Sequence, residues 1–117
     1  QCTDKKVYYL EGTLGAGKTT FVQHWLRQAG YSGVVQSPTY ALMNEYYIGQ
    51  QTVIHADLYR LAAPDELLYL DVRDWSERAT HIFIEWAQNG GDYLPAADVF
   101  CQFALRDGRR YLSVAAA

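Results

Sequence analysis

Cysteine is scarce in this chain, and the two present, Cys2 and Cys101, stand far apart with no metal-ligand spacing around them. That excludes a disulfide framework and a zinc-finger type of site, and leaves two reduced thiols of a cytoplasmic protein, to which no function attaches. Long apolar runs are missing as well. The longest is interrupted within about eight residues, against the roughly 20 that a membrane-spanning helix needs, and no secretory segment is visible. Charge of one sign is also lacking: ten Lys and Arg are interspersed with 13 Asp and Glu for a net −3. A dedicated basic nucleic-acid surface is thereby excluded, and any role near nucleic acid requires a partner. There are no internal repeats and no low-complexity tracts. With 117 residues, half of them hydrophobic, residues 1–117 read as a single domain with one core and no room for a separate substrate domain. The chain begins Gln1-Cys2 and reaches its first motif after 11 residues, which reads as a fragment lacking its natural start.

That motif is Gly12-Thr13-Leu14-Gly15-Ala16-Gly17-Lys18-Thr19, which fits G-x-x-x-x-G-K-[ST], the loop that wraps backbone amides around nucleotide phosphates. Glycines at 12, 15 and 17 let the backbone approach phosphate oxygens with no Cβ in the way. Successive N–H groups and the start of the following helix supply partial positive charge. Lys18 adds a mobile cation for the β- and γ-phosphates, and the Thr19 hydroxyl is placed to ligate Mg²⁺. The competing reading is a glycine-rich turn that merely starts a helix.

The surroundings suit the motif. Val7 to Leu10 reads as a buried strand before it, and Thr20 to Ala29 as a helix after it, with Phe21, Val22, Trp25, Leu26 and Ala29 on one face and Gly30 as its stop. Gly33 to Gln36 reads as a short strand. Tyr40 to Ile48 and Thr52 to Leu58 form a hairpin across Gly49-Gln50-Gln51. Pro64, Asp65 and Glu66 open a helix through about Leu70, broken before Trp75. Thr80 to Glu85 is an apolar strand ending in a carboxylate, Gln88 to Asp92 a loop, and Val99 to Leu105 with Tyr111 to Ala115 a second hairpin around Asp107-Gly108. The fold class expected is α/β: a three-layer P-loop NTPase-like sheet, mixed parallel and antiparallel, with flanking helices.

Such a site needs a carboxylate at the end of a neighbouring strand, opposite the phosphate loop. Glu85, closing Ile82-Phe83-Ile84, is the first candidate for a metal or water role, against a solvent-facing strand end. Asp57 is the second, sharing a strand face with His55 and Tyr59, against a surface ion pair with Arg60. His55 reads as a packed or hydrogen-bonded histidine rather than a base. Thr39, after Pro38, is placed either to close over the γ-phosphate or to sit in a turn. Trp86 is either a wall of the nucleotide pocket or a core side chain. Tyr40, Tyr46, Tyr47 and Tyr59 read as the packed face of the hairpin, or as a protein-binding patch if exposed. Arg106, Arg109 and Arg110 fit a solvated basic turn better than a contact to the nucleotide.

Taken together, Gly12 to Thr20, Ser37-Pro38-Thr39-Tyr40, His55-Ala-Asp57-Leu-Tyr-Arg-Leu61 and Ile84-Glu85-Trp86 resemble the bacterial TsaE (YjeE) family, in this order and at suitable separations across nearly the whole chain. The resemblance implies a small P-loop ATPase that takes ATP and Mg²⁺ and serves the threonylcarbamoyl modification of adenosine next to the tRNA anticodon. By that resemblance, Gly12, Thr13, Leu14, Gly15, Ala16, Gly17, Lys18, Thr19 and Thr20 bind the nucleotide, and Thr19 and Glu85 hold the metal. Lys18, Thr39, Asp57 and Glu85 make up the catalytic set. It also implies weak turnover alone, stimulation by TsaB and TsaD partners that carry out the transfer, contact with tRNA only through them, and no membrane. The family carries a preceding strand and helix of about 25 residues that this chain lacks.

Two other classes compete. A small-molecule kinase needs an acceptor pocket and an arginine-rich lid, whereas Arg73 and Arg78 are scattered. A nucleotide-gated binding module would hold and exchange ATP with little hydrolysis. No N-K-x-D guanine reader occurs, and no D-x-x-G follows the switch-like segment, so a GTPase is disfavoured.

Overall fold

Period-two alternation in the strands sets the architecture. The computed structural model describes residues 6–13, 17–38 and 41–117; Cys2, the loop residues Leu14, Gly15 and Ala16, and Thr39 and Tyr40 lie outside the described residues. The strands are β1 (Val7–Glu11), β2 (Met43–Ile48), β3 (Gln51–Asp57), β4 (His81–Glu85), β5 (Val99–Arg106) and β6 (Arg109–Ala116). They make one sheet of order β2-β3-β4-β1-β5-β6, in which β3, β4, β1 and β5 run parallel and the edges β2 and β6 are antiparallel. The mixed sheet of an α/β P-loop fold is therefore present.

Each face of the sheet has its own apolar layer. Val53 of β3, Phe83 of β4 and Leu10 of β1 pack with Val22 and Leu26 of α1 (Lys18–Gln28). Their alternates Ile54, Ala56, Ile82 and Ile84 pack with Leu67, Val72 and Trp75 on the opposite face. Phe83 is fully buried, with ring centroids 4.8 Å from Tyr8 and 5.0 Å from Trp25. Trimming it to alanine should cost about 3–5 kcal/mol.

α1 begins at Gly17, whose φ of 104° only glycine adopts cheaply, and no side chain caps it. It ends as the sequence indicates. Gly30 at φ 106° lets its own N–H donate to the Arg27 carbonyl and that of Tyr31 to the Leu26 carbonyl, a Schellman closure.

Three expectations are corrected. Gly33 to Gln36 is not a strand: the Gln36 carbonyl accepts from the side chains of Asn44 and Tyr46 on β2, not from a backbone ladder. The Pro64–Leu70 helix is a 3₁₀ helix, followed by a 3₁₀ turn (Val72–Asp74) and the short α2 (Trp75–Arg78). The Pro64–Leu70 bounds are those the sequence indicates, and Asp71 at φ 55° closes the segment. The first hairpin turns on Gly49-Gln50 alone, so β3 starts at Gln51. Around Asp107 (φ 52°) and Gly108 (φ 76°) the second hairpin has the doubly positive turn its Asp-Gly pair signals.

Candidate active site

Parallel pairing brings the two carboxylates together. Asp57 and Glu85 are register partners at the C-terminal ends of β3 and β4, on the face that carries α1. Both are buried, Asp57 at 8% exposure and Glu85 at 3%, so Glu85 is not the solvent-facing strand end of its competing reading. Glu85 Oε2 accepts from the Thr19 hydroxyl at 3.0 Å and meets His55 Nε2 at 2.6 Å. His55 lies two residues before Asp57 and is fully buried. It is hydrogen-bonded, as its sequence reading has it, but its partner is the acid that ends the next strand.

Asp57 Oδ1 accepts the backbone N–H of Tyr59 at 3.1 Å. Burial raises its pKa above the ordinary carboxylate value and the neighbouring Glu85 adds to the rise, against the lowering effects of the Tyr59 N–H, His55 and Lys18. Such a carboxylate holds its charge at a cost, a pattern that clusters at functional sites.

The phosphate-loop residues approach from the other side. Lys18 is 4% exposed; its ammonium donates to the Gly12 carbonyl at 2.7 Å and sits 4.2 Å from the centre of the Trp86 ring. Burial lowers its pKa, with Glu85 and Asp57 pulling it back up. Trp86 takes a left-handed backbone, φ 58°, and its ring lies 5.0 Å from that of Tyr59. It touches the loop lysine and, partly buried, also packs against the core layer that holds Leu58, Leu67 and Ile84, so both of its readings have a contact here. Gly12, at φ 145°, passes so close to β5 that a Cβ would come within 2.5 Å of the Phe103 carbonyl oxygen.

The structure therefore assembles Gly12, Gly17, Lys18, Thr19, His55, Asp57, Glu85 and Trp86 around the start of α1. Thr13 and Thr20 flank the same loop and are exposed. Thr39, Leu14, Gly15 and Ala16 lie outside the described residues, but the segment beside Thr39 is tied to the site: Leu42 N–H donates to the Pro38 carbonyl, and Asp57 N–H to the Leu42 carbonyl, each at 2.8 Å. The tyrosine cluster is corrected. Tyr46 is buried against Tyr31, Tyr47 is 66% exposed, and Tyr59 leaves the hairpin for Trp86. Cys101 is a buried free thiol whose pKa burial raises, an inert setting. Arg78 is tied to Glu45 at 2.9 Å and Asp74 at 3.3 Å, so it is held in the fold rather than free as a lid.

What this arrangement can bind follows from its donors. An uncapped helix start with no acid in its first turn and a neighbouring ammonium suit an anion. The Thr19 hydroxyl and the Glu85 and Asp57 carboxylates are hard oxygen donors. Among the described residues no three His, Cys, Asp or Glu form a metal cage, and Mg²⁺ needs none, since it keeps waters and takes phosphate oxygens.

One residue that the sequence reading set aside belongs beside the loop. Arg110 of β6 runs past Gly17, where a Cβ would lie 3.5 Å from its Cδ. It helps line a cleft of about 180 Å³ with Thr20, Phe21, His24, Phe103 and Leu112. Only the β5–β6 pairing reveals this; the Asp-Gly turn in the sequence was the sole hint.

Comparison with known proteins gives concordant results. The family model "Threonylcarbamoyl adenosine biosynthesis protein TsaE" matches residues 1–111. The chain is 41% identical over 115 residues to the tRNA threonylcarbamoyladenosine biosynthesis protein TsaE of Haemophilus influenzae, covering 97% of this chain and 73% of that protein. Identity to the protein of that name from Treponema pallidum is 33%, over 93% of this chain and 81% of the relative. For Bacillus subtilis it is 37%, over 76% and 55%; the chain thus spans between about half and four fifths of these curated relatives. The crystal structure of Bacillus subtilis YdiB superposes with a TM-score of 0.67 at 27% identity, over 95% of this chain and 68% of that one.

Proposed function

The chain belongs to the TsaE family of tRNA threonylcarbamoyladenosine biosynthesis proteins, and from that premise we propose that it binds ATP with Mg²⁺ and hydrolyses it weakly alone, faster with its partners. The observation that carries the reading is the meeting of Thr19 and Glu85 at 3.0 Å, at an uncapped helix start and beside a buried lysine. A hydroxyl and a strand-end carboxylate in contact are the two side chains that a P-loop uses around its metal.

In this reading the loop amides and Lys18 hold the β- and γ-phosphates. For Lys18 this means leaving the Gly12 carbonyl and the Trp86 ring. Thr19 and Glu85 organise Mg²⁺, which when bound neutralises phosphate charge. Asp57, or Glu85 through its remaining oxygen, accepts a hydrogen bond from the attacking water, and Thr39 closes the site from the Ser37–Tyr40 side. Arg110 and its cleft, on the β5–β6 side of β1 and across it from Glu85 on β4, would hold the nucleoside.

Positioning and electrostatics do most of what phosphoryl transfer asks of a protein. The family's partners TsaB and TsaD carry the threonylcarbamoyl transfer in this reading, hydrolysis resets them between cycles, and tRNA is met only through them. The cytoplasm is where that chemistry occurs. Tyr59, 46% exposed, follows the end of β3 that holds Asp57 and offers a protein a side chain at which to sense nucleotide state. No helix among the described residues is long and apolar enough to cross a membrane.

ATP turnover by Lys18→Ala and Glu85→Ala proteins, measured with the partners present, tests the proposal. Each should fall by about 100-fold or more, the scale of losing one organising group. Undiminished rates in both would overturn it, and ADP formed only when an acceptor is added, with the phosphoryl group on that acceptor and no free phosphate, would favour a kinase.

A further inference from the structure

Glu85 Oε2 has two donors, and they differ in freedom. The Thr19 hydroxyl lies on the first turn of α1 and, on the nucleotide reading, has a second partner in the metal. His55 has no such alternative. It is fully buried in the middle of β3, where its register partners are Phe83 on β4 and Asn44 on β2, whose amide donates to the Gln36 carbonyl, and its strand neighbours Ile54 and Ala56 are themselves fully buried. Its Nε2 is 2.6 Å from the carboxylate, and its Nδ1 is buried with no partner among the described residues. An ionised carboxylate only accepts, so the hydrogen on Nε2 is assigned by this contact.

Removing the threonine from this trio exposes the problem that the histidine solves. When the Thr19 hydroxyl turns to the metal, Glu85 loses a donor in a buried setting while Lys18, whose charge it already feels, stands nearby. A carboxylate left free would swing to the ammonium, and the resulting ion pair would take both groups from the phosphates.

We infer that His55 is a positioning residue that pins Glu85 through Oε2, so that the carboxylate keeps its aim at the metal side while Thr19 changes partner. The inference rests on the nucleotide reading above. Groups that orient a metal-binding carboxylate typically matter by 10–100-fold in metal affinity, and this one acts without touching nucleotide or ion.

The test compares His55→Gln with His55→Asn in the whole chain. The glutamine amide reaches about as far as Nε2, while the shorter asparagine amide stops near Nδ1. Affinity for a non-hydrolysable ATP analogue is measured by calorimetry with Mg²⁺ and with EDTA, and Mn²⁺ binding to the analogue complex by electron paramagnetic resonance. Wild type and His55→Gln should show the same metal-dependent tightening. His55→Asn should lose about 10–100-fold of it with its metal-free affinity unchanged.

Equal tightening in both variants overturns the inference. So does equal weakening of His55→Asn with and without metal, which would mark general damage to the fold, and so does a glutamine variant that behaves like asparagine. Wild type that binds no nucleotide, or binds it without regard to metal, overturns the nucleotide reading itself. A further readout needs neither variant nor ligand: nitrogen-15 NMR of the wild-type histidines should find His55 protonated at Nε2, and an Nδ1–H tautomer overturns the inference even if the variants do not fold.

Discussion

Replacing Asp57 by asparagine should stabilise this protein at neutral pH while impairing its chemistry. The carboxylate is 8% exposed, and burial is the largest reason that its pKa is raised. Its register partner on β4 is a second buried acid. Neighbouring strands run about 4.8 Å apart, where two like charges repel by roughly 3.5 kcal/mol at an effective dielectric of 20. Lys18 and His55 offset part of this, so a net gain of about 1–2 kcal/mol is reasonable for the isosteric neutral side chain. For a domain of this size that is about 4–8 °C in Tm.

The pH dependence has a definite sign. With a folded pKa above the unfolded one, the protonated acid favours the folded state below the ordinary value of 3.8, and that contribution is lost as pH rises through the raised folded value. Wild type and Asp57→Asn should therefore converge near pH 3 and separate toward pH 7. Thermal unfolding by circular dichroism from pH 3 to 8, with ATP turnover at pH 7.5, is the assay. A variant no more stable than wild type at pH 8, or equally more stable at pH 3, would refute the electrostatic reasoning; undiminished turnover would remove Asp57 from the site.

Further outcomes follow from single contacts. Gly12→Ala should destabilise by about 2–4 kcal/mol in urea unfolding, since its Cβ would meet the Phe103 carbonyl oxygen at 2.5 Å and φ is 145°; stability within 0.5 kcal/mol of wild type would show that the loop and β5 can separate at little cost. Lys18 rests 4.2 Å from the Trp86 ring; if phosphate draws it off, as proposed, nucleotide should change tryptophan emission in wild type and not in Trp86→Phe. Arg110→Ala should leave Tm within about a degree, as an exposed substitution does, yet weaken nucleotide binding about 5–10-fold, the scale of a lost contact from a charged group. Unchanged affinity by calorimetry would move the base elsewhere.

Much of the site is legible in the chain because its parts are local in sequence. Gly12 to Thr20 is contiguous, so backbone sterics and one helix start specify it without reference to anything distant. Glu85 is recognisable as a candidate because it closes an apolar strand, but a solvent-facing strand end fits the same pattern, and only its 3% exposure separates the two. The 3₁₀ form of Pro64–Leu70 and the loss of Gly33–Gln36 as a strand were not legible. Propensity is weak over seven residues, and a strand exists only where a neighbour offers a ladder; Asn44 and Tyr46 took the Gln36 carbonyl instead.

By itself, then, the sequence determined the helix start after Gly17, the alternating strands and the acids at their ends, because these depend on residue type and on periods of two and 3.6. It left His55 a histidine of packed or hydrogen-bonded type with no named partner, Trp86 a choice between wall and core, and Arg110 a residue of a basic turn. Only tertiary structure gave these their contacts, since each depends on the lateral order of strands. The β3–β4 register sets Asp57 beside Glu85 and lets His55 reach it, the left-handed turn after β4 lays Trp86 under Lys18, and the β5–β6 pairing carries Arg110 to Gly17. Pairing between strands distant in sequence is a long-range property, set by which faces bury together; the Asp107-Gly108 turn sets the β5–β6 register locally, but only the docking of β5 on β1 brings that hairpin to the loop.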